Sequence, residues 1–380
     1  MKVLQIIPNL AGGGAERFVV DLCNELVRNH EVHLVTLYDL GDDDFFKEKI
    51  DSKVKTMSLN KKESFDLSIF GKLYRCINTI RPDIIHCHLR SLNYLMPIIF
   101  AMPKMALIHT VHNDAFIECP SRVIRFARKI FFRGRKRMAV TISQESSNSF
   151  VSAYGDLPYK QIFNGSEILK REDIREDYIS LVEAAKKGHS TKVFVNIGRL
   201  VKQKNQLMLV RAFEKLIKND KADAILLIIG GKRSTQESLS IENELLAISE
   251  VSGNIHLLGE RKNAVDFLFL ADFFCLSSIY EGMPISLIES FGVGLIPVCT
   301  PVGGVPEMIT LLDGTLLAKG VNEEDYYQAL KAAFQIPADR KRYLQEKAIQ
   351  VFRQYFSIEH CADNYLQLYK ELLTNASFRS

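Results

Sequence analysis

The sequence predicts an α/β protein of two doubly wound domains, and three observations carry that reading. Short runs rich in Val, Ile and Leu recur along the chain, amphipathic stretches of helical period separate them, and the second half repeats the grammar of the first. In the front half the runs are "KVLQIIP", "EVHLVTLY", "DIIHCHL", "MALIHTV" and "MAVTIS", divided by helical patterns such as "AERFVVDLCNELVRN" and "FGKLYRCINTIR". Runs that are continuously apolar rather than alternating mark strands covered on both faces, as in a parallel sheet built from βαβ units. The back half follows with "KVFVNIG", "AILLIIGG", "NIHLLG", "FFCLSS" and "IPVCT". A polar stretch beginning at Asn164-Gly165, a turn signal, separates the halves. The expected domains are therefore residues 1–165 and 166–358. The amphipathic segment 359–380 is expected to be a helix that packs back on the first domain.

Composition agrees with two globular domains. The 380 residues are 47% hydrophobic and 25% charged, enough for each half to bury its own core. Residues 1–165 carry 23 Lys and Arg against 17 Asp and Glu, whereas 166–380 carry 26 against 28, so the front half is the one suited to an anionic partner. The seven cysteines are scattered without a CxxC pair, which suits a reducing compartment and argues against a disulfide frame or a zinc site. The opening "MKVLQIIPNLAGGG" has too short an apolar run for a secretory signal. Pro97, Pro103 and Lys104 interrupt the longest apolar region, so it reads as a helix and a strand rather than a membrane span. The expected location is cytoplasmic.

In doubly wound sheets, ligands belong at the carboxyl ends of strands. After the first strand comes "NLAGGGAERF", where backbone N–H groups and a helix N-terminus suit a phosphate. Gly12 and Gly14 fit a dinucleotide fingerprint, but Arg17 stands at its third small position; Asp39 sits near the place of a ribose-binding acid. An NAD-dependent dehydrogenase is thus one reading, and a simple tight turn is another.

The back half offers a different site. "VNIGRLVKQKNQ" follows its first strand, placing Arg199 and Lys204 across a loop that enters a helix. A guanidinium fork and an ammonium point charge suit a diphosphate; a solvated loop is the bland alternative. In "SSIYEGMPISLIES", Glu281 falls in a strand-end loop and Glu289 inside the following helix, with Pro284 expected in its first turn. At about 1.5 Å rise per helical residue the carboxylates stand roughly 10 Å apart, too far to share a proton. The span suits one ligand with hydroxyls at both ends and phosphates between. Sugar hydroxyls would lie at Glu281, ribose hydroxyls at Glu289, and the diphosphate near Arg199, Lys204 and the backbone of Gly282, Met283 and the residues after Pro284.

Taken in order, "GGGAER", "HTVHND", "GRLVKQKN", "EGMPISLIE" and "PVGGVPEMI" resemble the retaining glycosyltransferases of family 4, and the likeness runs over nearly the whole chain. The resemblance implies the GT-B fold, in which two Rossmann-like domains face each other across a cleft and a C-terminal helix crosses back to the first. It implies that Glu281 contacts the donor sugar, Glu289 the nucleotide ribose, and Arg199 and Lys204 the diphosphate. Gly14 becomes a close backbone approach near the phosphate or acceptor, and His112 the histidine beside the transferred sugar. "HCH" (His86, His88) has metal-like spacing but no evident third ligand, and reads as strand-end architecture. No cofactor or metal is expected. "LLDGTLLAKG" departs from the acidic stretch the family carries after the Gly303-Gly304 loop.

The implied reaction moves a hexose-type sugar from a nucleotide-diphosphate donor to a hydroxyl acceptor, a lipid-linked or growing glycan in surface polysaccharide biosynthesis. "SRVIRFARKIFFRGRKRMAV" sets Arg122, Arg125, Arg128, Lys129, Arg133, Arg135, Lys136 and Arg137 among Phe126, Phe131 and Phe132. That mixture suits an anionic membrane surface; an outer helix with a solvated basic face is the alternative. No recognition module for nucleic acid accompanies it. A sugar-nucleotide epimerase, the dehydrogenase and a catalytically silent scaffold are the competing classes.

Overall fold

The computed structural model describes every residue except 42–43, 64–65, 172–173, 233 and 375–380. The chain forms two compact units: Met1–Glu167 with Tyr355–Ser380, and Ile168–Gln354. The chain re-enters the first unit four residues ahead of the expected 358/359 boundary. The reason is local. The backbone of Ser166 bonds Phe356 O at 3.0 Å and accepts from Ile358 N at 2.9 Å, which fastens the returning segment before the last helix begins. Gly165 lies under that segment, where an added Cβ would come within 2.8 Å of Ser357 O.

The first unit holds seven parallel strands: β1 (Lys2–Ile7), β2 (Glu31–Thr36), β3 (Lys55–Ser58), β4 (Ile84–His88), β5 (Ala106–Val111), β6 (Arg137–Thr141) and β7 (Tyr159–Gln161), in the order β3-β2-β1-β4-β5-β6-β7. The five central strands are the apolar runs of the sequence. The edges β3 and β7 fall outside the pattern because "KTMS" and "YKQ" are short and mostly polar, with β3 largely exposed and β7 packing Tyr159 on Phe150. The helix Gly14–Leu26 lays Phe18, Val19, Leu22, Cys23 and Leu26 on the sheet. The helix Ile358–Thr374 packs beside it and buries Cys361, Tyr365, Leu368, Tyr369 and Leu372, a stripe spaced by three and four residues.

The second unit is a five-stranded parallel sheet of β8 (Lys192–Ile197), β9 (Ala224–Ile229), β10 (Ile255–Gly259), β11 (Phe273–Leu276) and β12 (Ile296–Cys299), ordered β10-β9-β8-β11-β12. The chain winds outward from β8 first through β9 and β10, then restarts on the other side at β11. The boundary between β8 and β11 is therefore the switch point where strand order reverses. All seven cysteines are buried thiols. Among the described residues no helix is long and apolar enough to cross a membrane.

Candidate active site

At the switch point of the second unit, one backbone bond and two side-chain-to-backbone bonds fasten together the loops after β8 and β11. Ile279 N bonds Gln203 O at 2.8 Å, Gln203 Nε2 donates to Tyr280 O at 2.9 Å, and Ser277 Oγ donates to Lys204 O at 2.8 Å. Gln206, at the start of the helix Gln206–Asp220, donates to Arg199 O at 3.0 Å and so fixes the other end of the β8 loop. Lys204 Nζ then meets Glu281 Oε1 at 2.6 Å, and Ser278 Oγ donates to the same oxygen at 2.6 Å. Both ionised side chains are largely withdrawn from water. A pair so placed is held because each partner covers the other's desolvation cost.

Two glycines let these loops approach. An added Cβ on Gly230 would stand 1.9 Å from Gly198 O. One on Gly303, which has φ +58, would stand 1.7 Å from Glu281 O. The GG loop after β12 thus presses on the backbone of Glu281, and Gly304 N donates to Gly282 O at 2.8 Å.

Gly282, Met283 and Pro284 are buried and lead into the helix Ile285–Gly292. Pro284 caps this helix with extended backbone (φ −72, ψ 121) instead of lying in its first turn. The difference is small and has a physical source: the proline carbonyl accepts the first bonds, from Leu287 N and Ile288 N at 3.2 Å, while its own position needs no N–H. Glu289 lies in the second turn with only 6% of its surface exposed. Arg199 is half-buried in the β8 loop, five residues ahead of Lys204. The structure thus joins Lys204 and Glu281 directly and sets Arg199, Gly282, Met283, Pro284 and Glu289 on the same two loops and the helix they feed.

His112 and Gly14 belong to the first unit. Gly14 opens its helix at an exposed position behind Gly13, whose backbone is extended, so neither glycine is required by a left-handed conformation. Arg17, at the third place of the would-be dinucleotide fingerprint, is buried and bonded to Asp21 at 2.9 Å. Asp44 Oδ1 accepts from Leu10 N at 3.0 Å, and Asp39, Asp44 and Glu63 line one cavity beside the glycine loop. The departure from a dinucleotide fingerprint is Arg17, whose buried side chain fills the place of the third small residue.

His112 directly follows β5 and keeps 5% exposure. Phe18, from the helix that Gly14 opens, stands edge-on to its ring at 5.7 Å. His112 Nε2 lies 2.9 Å from His88 Nδ1, and its backbone N–H donates to Glu118 Oε2 at 3.2 Å. Burial lowers the His112 pKa, Glu118 pulls it up and His109 pushes it down, leaving it at about 4. His109 Nε2 and Arg128 both reach Glu118 Oε1, at 2.7 and 3.0 Å. Burial raises the Glu118 carboxyl, but His109 and Arg128 outweigh it and bring the pKa down to about 2.

This cluster corrects the reading of the basic segment. Arg128 is a buried partner of Glu118, Arg137 is buried against Phe100 and Phe131, and Phe131 and Phe132 belong to the core. The helix Arg122–Phe132 turns a narrower stripe outward: Val123 at 79% exposure, Phe126 at 66%, and Ile130, joined by Phe116 and Ile117. Sequence reasoning also missed Glu118 and Ser278. The first had a signal, an acid in the apolar "AFIE"; a serine three residues before a glutamate has none.

Both units match families of known proteins. Residues 180–351 match the family model described as glycosyl transferases group 1, and residues 12–165 the model described as glycosyltransferase family 4. A 4-alpha-N-acetylgalactosaminyltransferase of Campylobacter jejuni, named for an N-acetylgalactosamine-N,N'-diacetylbacillosaminyl-diphospho-undecaprenol substrate, is 25% identical over 89% of this chain and 91% of its own. An uncharacterized glycosyltransferase of Methanocaldococcus jannaschii is 27% identical over 59% of this chain, which spans 57% of that relative. Among solved structures, a glycosyltransferase from Rickettsia africae superposes with a TM-score of 0.80 at 19% identity, covering 98% of this chain and 99% of its own. Anabaena HepE in complex with UDP gives 0.79 at 16% identity, covering 98% and 100%. Two doubly wound units of this kind, each matched by its own glycosyltransferase model, place the chain in glycosyltransferase family 4, with the GT-B fold.

Proposed function

We propose that the protein is a retaining hexosyltransferase that moves sugar from a nucleotide-diphosphate donor to a hydroxyl of a lipid-linked or growing glycan. The observation that carries this reading is the Lys204–Glu281 pair at the β8/β11 switch point, 2.6 Å apart beside a helix N-terminus. The donor diphosphate competes for Lys204 and gains Arg199, which leaves Glu281 to accept from sugar hydroxyls. The first N–H groups of the helix Ile285–Gly292 add positive potential where the leaving group gathers charge. Glu289, one turn farther on, takes the ribose, and His112 with Gly14 serves the sugar and acceptor from the first unit. The glycosyl C–O bond to the diphosphate breaks while the acceptor oxygen bonds the same face of the sugar, and the acceptor's proton is released with the nucleoside diphosphate. Lipid-linked substrates named for relatives and UDP held by a structural neighbour support donor and acceptor of these classes.

The test is incubation with UDP-glucose, UDP-galactose, UDP-N-acetylgalactosamine and GDP-mannose, each with and without an undecaprenyl-diphosphate-linked sugar. Acceptor-dependent nucleotide release is expected for one donor, with the anomeric configuration retained by NMR of the product. Because Arg199 and Lys204 supply the charge opposite the diphosphate, turnover should persist in EDTA. Epimerised free sugar nucleotide, or no release with any donor, removes the reading.

The outward stripe Val123, Phe126 and Ile130, flanked by exposed Arg122 and Arg133, suits peripheral docking on the anionic inner face of a membrane. Phe126→Asp should abolish flotation with phosphatidylglycerol vesicles at low salt and leave turnover of a water-soluble acceptor analogue near wild type. Unchanged flotation of the variant would remove this surface from the account.

A further inference from the structure

The carboxyl ends of β1, β4 and β5 carry polar side chains on one fully buried sheet face, an expensive place for them unless every group is bonded. Here each one is. His112 Nε2 meets His88 Nδ1 at 2.9 Å; His88 Nε2 meets Gln5 Oε1 at 2.8 Å; Gln5 Nε2 donates to Tyr369 Oη at 3.3 Å. Tyr369 Oη then meets His86 Nδ1 at 2.7 Å, His86 Nε2 meets Thr110 Oγ1 at 2.7 Å, and Thr110 Oγ1 meets Tyr365 Oη at 2.9 Å. The register explains the assembly: Gln5 pairs with His86 across β1 and β4, and His88 with Thr110 across β4 and β5. Both tyrosines come from the helix Ile358–Thr374.

The Gln5 amide sets the direction of this chain. Its oxygen only accepts, so His88 Nε2 carries a proton; a neutral imidazole has one N–H, so His88 Nδ1 must accept. His112 Nε2 is then the donor. On the other side the Gln5 amide donates to Tyr369, and the tyrosine spends its own proton on His86 Nδ1. That is the favourable sense for a phenol facing an imidazole, since the phenol is the better donor and the imidazole nitrogen the better acceptor. His86 Nε2–H continues to Thr110, and Thr110 to Tyr365. Every member between His112 and Tyr365 gives one proton and takes one. Burial, joined by repulsion among the histidines, lowers the pKa of His86 and His88 well below the ordinary value, so each ring holds a single proton at neutral pH.

We propose that Gln5, Tyr369 and His86 are positioning residues that act through His88 to lock His112 in its Nε2–H tautomer, presenting Nδ1 as a hydrogen-bond acceptor for a hydroxyl of the transferred sugar. The sugar contact rests on the function proposed above; the tautomer does not. A histidine free to exchange tautomers offers an acceptor only part of the time, whereas a locked one is preorganised for the hydroxyl. The last helix thereby contributes to the site without touching substrate.

Nitrogen-15 NMR of the ring nitrogens in the full chain labelled with 15N-histidine, assigned with His112→Ala, reads the tautomer directly. Wild-type His112 is expected to carry its proton on Nε2. Gln5→Met removes the acceptor for His88 Nε2, so His88 should move its proton to Nδ1 and His112 should become the Nδ1–H form. Tyr369→Phe, which frees the amide to rotate, should give a mixture. With the panel donor that the wild type turns over, kcat of Gln5→Met should fall roughly 10- to 100-fold, the loss of one oriented hydrogen bond, while donor KM stays within a factor of about two. An Nδ1–H His112 in the wild type, or an unchanged tautomer in both variants, overturns the proposal whatever the activity. A tautomer shift with unchanged kcat overturns the positioning role. Wild-type protein that turns over no sugar nucleotide sinks the proposed function and the role that rests on it, while the NMR result still decides the lock.

Discussion

Lys204→Ala is expected to lower turnover at saturating donor by roughly 10²- to 10³-fold, the scale on which a preorganised charge opposite a leaving group acts. The same residue is bonded to Glu281 at 2.6 Å, so its removal also leaves a largely buried carboxylate with Ser278 as its remaining partner. That second effect destabilises the loop and has to be separated from catalysis. Lys204→Ala combined with Glu281→Gln removes the uncompensated charge and should recover stability without recovering turnover. Arg199 lies five residues earlier and has no part in the ion pair, so Arg199→Ala should lower turnover while leaving the melting temperature near wild type. Circular dichroism melts and donor-saturated rates check all three. Near-normal rates in both single variants would move the diphosphate elsewhere. Recovery of rate in the double variant would show that the single variant failed through folding.

The difference between what the sequence disclosed and what the fold added is visible in this pair. Lys204 and Glu281 stand out separately, one in a basic loop after a strand and the other in a Gly-Pro turn after another. Their meeting depends on β8 and β11 being neighbours, although two strands intervene in the chain. Periodicity identifies strands because burial on both faces writes a continuous apolar run; it says nothing of which strand lies beside which. It also fails where burial fails, as at the edges β3 and β7. The histidine chain shows the converse. His86 and His88 are conspicuous in "DIIHCHL", yet their meaning is supplied by Tyr369, whose hydroxyl reaches His86 from the far end of the sequence. Arg128 and Arg137 are hidden from the sequence for a related reason. A charge in a basic run looks solvated until its partner is located, and Glu118 and the faces of Phe100 and Phe131 are the partners here.

The buried histidines should make the first unit acid-labile in a pH range where ordinary carboxylates have yet to titrate. His86, His88 and His112 all have folded pKa values depressed by burial, His112 to about 4. The unfolded chain binds protons at these positions near the ordinary value of about 6.5, the folded one only at lower pH. Their contribution to stability is therefore fully present above about 6.5 and declines as pH falls through that value toward the folded values. Taking up three unfolded-state protons around pH 6.5 makes the three rings together lose about 4 kcal/mol between about pH 7.5 and pH 5.5. That is a large share of a domain's total stability, which is about 5–15 kcal/mol. Glu118 works in the same sense but in a separate window, because its stabilisation is lost only as pH falls through about 4.5 toward its folded value of about 2. His30 and His256 also have lowered pKa values from burial, but their greater contact with solvent discounts them. Urea unfolding followed by circular dichroism, with hydrogen exchange of the β4, β5 and C-terminal helix peptides to identify the unit, gives the pH slope. Replacing one titrating ring, His86→Gln, should reduce that slope by about one proton. A first unit equally stable at both pH values would show that these rings accept protons inside the fold, and would remove the single-proton condition on which the direction of the hydrogen-bond chain depends.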